Sequence, residues 1–146
     1  MRVYLDNSAL QRPLDTKNQA RIILEAEAVL VLIAAVEEGR IELVDSEVLQ
    51  FEVRNTPAAQ RRTSALEVLR KANVSVQITD NTEVRSNVFA QSGLKPIDAL
   101  HLASAEEIEA QYFCTCDDGI LKKREKLTDC KTKIVTPVEL VEELGL

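Results

Sequence analysis

The chain has no tryptophan, and only 3% of its 146 residues are aromatic, so any core must be aliphatic. It holds 4 glycines and 4 prolines, too few for a collagenous, low-complexity or loop-dominated protein. Three cysteines, Cys114, Cys116 and Cys130, are an odd number and exclude a complete disulfide framework. No apolar run reaches the length of a membrane span. The strand-like start Met1–Leu5 runs straight into Asp6, without the basic and apolar regions of a signal peptide, so a cytoplasmic location is expected. Positive charge is also short: 18 Lys and Arg against 24 Asp and Glu give a net charge of −6. That balance does not suggest a nucleic-acid binder, because affinity for phosphates comes from Lys and Arg. A carboxylate cluster that holds divalent cations would make the formal charge misleading.

What is present is an alternation of short apolar runs and longer helical patterns. Strands are expected at Met1–Leu5, Ile41–Val44, Val74–Ile78, Tyr112–Thr115 and Lys133–Thr136. Helices are expected over Lys17–Glu38, ended by Gly39, and over Glu47–Arg54, capped by Ser46. More follow over Ala58–Ala72, from Thr79 or Asp80 to Gln91, from Pro96 through Ala110, over Gly119–Lys126 and over Val138–Leu144. Gln11–Thr16 reads as a loop. No two strands are joined by a hairpin-length turn, so the pattern implies an α/β fold with a parallel sheet covered by helices. With no repeat or linker, residues 1–146 read as one domain.

In open α/β sheets, sites form beyond the carboxyl ends of the strands. Asp6 ends the first strand and Asp117 the fourth. A strand-end Asp is also the commonest turn or capping residue, which is the reading for Asp45 and Asp118. In Lys95–Ala110 nearly every residue from Ile97 to Ala105 is apolar or small, so the first turns are expected to be buried all round. Asp98 and His101 break that rule on one side of the helix. Asp98 is either a cap receiving backbone N–H groups or a carboxylate with a cationic partner. His101 reads as a packed core histidine. In Glu47–Arg54, Val48, Leu49, Phe51 and Val53 define an apolar face with Glu52 at its middle. Glu52 is then either a buried partner of an Arg or a carboxylate facing a site. Four acids facing one pocket without His or Cys ligands suit hard, oxygen-loving cations, Mg²⁺ or Mn²⁺. Such an ion relieves the repulsion among like charges and is the usual apparatus of phosphoryl chemistry. Cys114 and Cys116 alternate along a strand, a poor geometry for joint chelation, and read as reduced structural residues. Cys130 reads as exposed and without a role.

Four segments, Val3-Tyr-Leu-Asp6-Asn-Ser8, Ser46 to Glu52, Pro96-Ile-Asp98 to Ala105, and Thr115-Cys-Asp117, together resemble the PIN-domain family, which includes VapC-like toxin ribonucleases. The resemblance implies a three-layer α/β fold with a central parallel sheet of about five strands. It implies a Mg²⁺- or Mn²⁺-dependent endoribonuclease in which Asp6, Glu52, Asp98 and Asp117 are the catalytic and metal-holding quartet. Ser8 and Thr115 match small polar positions near the metal, and Asp118 shares or swaps the role of Asp117. Arg54, Lys95 and the Lys122–Lys126 group are candidates to hold an RNA substrate. Partners implied are an antitoxin protein and a second copy of the chain, and no membrane. The alternative is a PIN-like scaffold that binds RNA or a protein without catalysis. A phosphate-receiver domain would want a lysine at the end of the last strand, where this chain has none.

Overall fold

A computed structural model describes residues 1–146. Five parallel strands, β1 (Arg2–Leu5), β2 (Glu42–Ser46), β3 (Val74–Val76), β4 (Tyr112–Cys114) and β5 (Lys133–Val135), form one sheet in the order β3-β2-β1-β4-β5. Eight helices flank it: α1 (Asn7–Gln11), α2 (Ala20–Glu37), α3 (Glu47–Arg54), α4 (Ala59–Leu69), α5 (Asp80–Gln91), α6 (Pro96–Glu107), α7 (Asp118–Leu121) and α8 (Pro137–Leu144). A parallel five-stranded sheet flanked by helices is the α/β architecture that the resemblance implies. Strands β1 and β4 pair with Leu5 opposite Cys114. The order reverses at β1, since β2 and β3 lie to one side and β4 and β5 to the other. That reversal opens a crevice beyond the carboxyl ends of β1 and β4, where α/β sheets bind ligands.

The expected elements are present with ends shifted by a few residues. Two segments differ in kind. Gln11–Thr16 is only in part a loop: Asp6 accepts the backbone N–H of Ala9 and caps α1, which ends at Gln11, and Arg12–Leu14 continues as a 3-10 turn. A strand-end Asp followed by Asn and Ser is the signature of a turn and of a helix cap alike. Gly119–Lys126 is not one helix but α7 followed by a 3-10 turn at Arg124–Lys126.

The core is aliphatic, as the scarcity of aromatics requires. Helix α2 buries Ala26, Val29, Leu32, Ala35 and Val36 and packs on α8, while α5 packs on α6. Tyr4 and Phe113, both fully buried, stack with centroids 5.3 Å apart. The first turns of α6 are less buried than expected: Pro96 is exposed, and Ile97, Asp98 and Leu100 are half-buried. Ala99 is buried, and burial becomes continuous from His101 to Ala105. No helix is long and apolar enough to cross a membrane.

Candidate metal centre

Asp6 leaves β1 at the crevice and is held by three donors. Ser8 Oγ donates to its Oδ1 at 2.6 Å, the Ala9 N–H donates to the same oxygen at 3.0 Å, and Thr115 Oγ1 donates to Oδ2 at 2.6 Å. Burial pushes the Asp6 carboxyl up, and these donors oppose the rise. Thr115 in turn accepts the Asp117 N–H at 3.0 Å, which ties the exit of β4 to the exit of β1. Asp117 caps α7, its Oδ1 accepting from the N–H groups of Gly119 and Ile120. Both strand-end acids are therefore helix caps, and both also face the crevice.

Asp98 differs. Lys95, not Asp98, is the capping residue of α6, and Asp98 receives no hydrogen bond and makes no ion pair. Burial and the charges of Asp117, Asp6 and Glu52 push its carboxyl up to about 6, against a smaller opposing pull from His101. The capping alternative for Asp98 is thus not what the fold provides.

Glu52 has no Arg partner, which removes the ion-pair alternative. Its Oε1 lies 3.1 Å from His101 Nε2, and Oε2 has no partner in the chain. The helical face is narrower than its sequence pattern: Val48, Leu49 and Val53 are buried, but Phe51 is 64% exposed. Phe51 lines an apolar groove with Val48, Ile78, Pro96, Ile97 and Leu100 instead of entering the core. His101 is buried, as a core histidine would be, yet it also reaches the crevice.

Asp6, Glu52, Asp98 and Asp117 line one cleft of about 220 Å³, with Asn7, Ser8, Gln11 and His101 completing the wall. Larger depressions exist elsewhere, but none gathers four acids. None of the four carboxylates pairs with a Lys or Arg. The donors are all oxygen, several are unspent, and like charges meet without a counter-ion, a set that suits a hard divalent cation. The side chains do not form a closed cage, since no three His, Cys, Asp or Glu groups stand close enough to hold an ion between them. Mg²⁺ tolerates that, because it keeps several waters and takes one or two carboxylates.

Other candidates divide. Ser8 and Thr115 stand against Asp6. Asp118 turns away and pairs with Arg21 at 2.9 Å, so it does not share the place of Asp117. Arg54 donates to Gln50 and is not in the cleft. Lys95 lines an adjoining cleft with Lys123, and Asp98 and Asp117 are common to both clefts. Cys114 and Cys116 are buried and free, and Cys130 is half-buried, not exposed. Asn7, Gln11 and Tyr4 were not foreseen. The spacing of Asn7 and Gln11, four apart on one helix face, was their only signal.

Over residues 3–127 the chain matches the family model of the PIN domain. It belongs to the PIN-domain family. PIN domains are generally nucleases and generally depend on divalent metal. Solved structures share this PIN fold. FitAcB from Neisseria gonorrhoeae is 13% identical, with a TM-score of 0.57 over 92% of this chain and 97% of that one. VapBC2 from Rickettsia felis, bound to a DNA fragment from their promoter, is 12% identical, with a TM-score of 0.59 over 93% and 98%. VapBC-1 from nontypeable Haemophilus influenzae is 14% identical, with a TM-score of 0.59 over 94% and 98%. No curated protein matches the sequence.

Proposed function

We propose that this PIN domain, spanning residues 1–146, is a Mg²⁺- or Mn²⁺-dependent endoribonuclease. One observation carries the reading: four carboxylates without a Lys or Arg partner meet in one cleft, and Asp98 there makes no hydrogen bond or ion pair while burial and the other three acids push its carboxyl up. Of Asp6, Glu52, Asp98 and Asp117, one or two would hold the ion directly and the others through its waters. Once bound, it supplies activation of water and neutralisation of phosphate charge. The chain's own residues fix the donors: Ser8, Thr115 and the Ala9 N–H hold Asp6, and the first turn of α7 holds Asp117. Lys95 and Lys123 make no ion pair and border the adjoining cleft, so a phosphate backbone crossing both clefts meets acids at the reacting group and ammonium groups beside it. Arg54, at the end of α3, is a more distant contact for the same strand. Water attacks the phosphodiester in line, leaving a 5′-phosphate and a 3′-hydroxyl, as the family resemblance implies.

The likeness to VapBC and FitAcB structures supports a toxin role in the cytoplasm, neutralised by an antitoxin protein. A homodimer is the further partner implied by the family. Exposed apolar residues Ile23, Leu24, Leu30 and Val31 on α2, and the groove around Phe51, offer surface for such partners.

The test is incubation of a labelled structured RNA with purified protein in Mn²⁺, Mg²⁺ or EDTA, beside Asp98→Asn. Cleavage that requires metal and is lost in the variant is expected. Cleavage that survives in EDTA or in Asp98→Asn refutes the assignment. The second reading, a non-catalytic scaffold, draws on the open spacing of the four acids. It predicts no Mn²⁺ binding in calorimetry.

A further inference from the structure

The chain's only histidine is 1% exposed, yet both ring nitrogens are engaged. Nδ1 lies 2.6 Å from the Tyr4 hydroxyl, and Nε2 lies 3.1 Å from Glu52 Oε1. The Tyr4 hydroxyl, itself buried, lies 2.7 Å from Ser46 Oγ. Ser46 Oγ accepts the Leu49 N–H at 3.0 Å, the bond that caps α3, the helix carrying Glu52. The connection runs from the cap of α3, through β1 and α6, back to the second turn of α3.

Building on the nuclease reading, we propose that Ser46, Tyr4 and His101 form a buried hydrogen-bond chain of one direction that positions Glu52, with His101 Nε2–H as the donor that fixes its carboxylate. The argument is donor counting. A neutral imidazole has one N–H and one lone pair, and an ionised carboxylate only accepts. If Nε2 carried the lone pair, it would face a carboxylate oxygen with no proton between them, and a buried donor site would be lost. Nε2 therefore carries the hydrogen, and Nδ1 accepts. Tyr4 must then donate to Nδ1, and its oxygen is free to accept from the Ser46 hydroxyl. Ser46 donates to Tyr4 while accepting from Leu49, so every group in the chain is satisfied.

The consequence concerns order at the cleft. Glu52 has three side-chain torsions, and the one side chain that ties it comes from α6. One oxygen is fixed by His101, and the other stays open to the cleft. Such supporting bonds orient a ligand before the ion arrives. His101 is thus a positioning residue, and Tyr4 and Ser46 act through it.

A single histidine makes the test unambiguous. Nitrogen NMR of ¹⁵N-histidine-labelled, metal-free protein at pH 8 should show the Nε2–H tautomer, and Tyr4→Phe, which keeps the packed ring, should convert it to a mixture. In calorimetry His101→Leu should weaken Mn²⁺ binding by about 10-fold, and His101→Gln, which retains an N–H donor, should recover most of it. In RNA cleavage, kcat should fall in Tyr4→Phe while KM holds. An Nδ1–H tautomer in the wild type, or unchanged Mn²⁺ affinity in Tyr4→Phe and in folded His101→Leu, overturns the proposal. If His101→Leu does not fold, Tyr4→Phe decides alone. A wild type with the Nε2–H tautomer but no Mn²⁺ binding supports the chain and overturns only the nuclease reading.

Discussion

Thr115 Oγ1 donates to Asp6 Oδ2 at 2.6 Å across a sequence separation of 109 residues. Both residues are buried, and the bond joins the ends of the two strands that flank the crevice. A hydrogen bond to a charged group contributes about 1.5–3 kcal/mol. Thr115→Val should therefore destabilise the fold by an amount of that order in urea unfolding. It should also weaken Mn²⁺ binding and shift the binding curve to higher pH, because Asp6 loses a donor that favours its ionised form. Thr115→Ser should restore both. Unchanged Mn²⁺ binding in Thr115→Val would remove Thr115 from the site.

Asp98 gives a pH dependence with a definite sign. Its carboxyl is raised from the ordinary 3.8 to about 6, so the folded state binds this proton more tightly than the unfolded chain. Its contribution to stability is present below about pH 4 and is lost as pH rises through 6. Asp98→Asn should raise the melting temperature of metal-free protein at pH 7.5, and the gain should vanish by pH 4. Mn²⁺ should stabilise the wild type at pH 7.5 far more than at pH 5, where protons compete for Asp98. Melting curves across pH, with and without Mn²⁺, check both statements.

Gly93 adopts φ +100°, and a Cβ there would stand 2.9 Å from Lys123 Nζ. Gly93→Ala should cost about 1–2 kcal/mol through the backbone alone. It should also push Lys123 off the adjoining cleft and raise KM for RNA. Lys123→Ala should raise KM without the loss of stability. Equal KM values for wild type and Lys123→Ala would show that the RNA does not cross this cleft.

Phe51 has most of its surface in water, so Phe51→Ser should leave the melting temperature within about 2 °C. If a second copy covers the groove, sedimentation should show a dimer in the wild type and a monomer in Phe51→Ser. Identical sedimentation of the two proteins would exclude this groove from any self-association.

The order of strands and helices was legible in the sequence because each strand is a short aliphatic run and each longer helix keeps its spacing. Ser46 was readable as a cap, since a hydroxyl before a helix acts through local backbone geometry, whereas the choice between Thr79 and Asp80 fell to Thr79 only in the structure. The acidic quartet was legible as well: Asp6 and Asp117 follow from strand ends, and Asp98 and Glu52 stand out as charges among apolar neighbours. Local pattern did not determine α1, because Asp6-Asn7-Ser8 serves a turn and a cap equally. It placed Phe51 in the core because a helical face has no marked edge in sequence. The partners of each acid were a matter of tertiary structure alone. Asp118 goes to Arg21 and Glu52 to His101 because residues distant in sequence meet only when the sheet brings β1 and β4 side by side and α3 packs against α6. Periodicity reports which side of an element is apolar. Which polar atom faces which depends on the three-dimensional path between elements, and that path decided that four acids share one cleft with a tyrosine-held histidine beneath them.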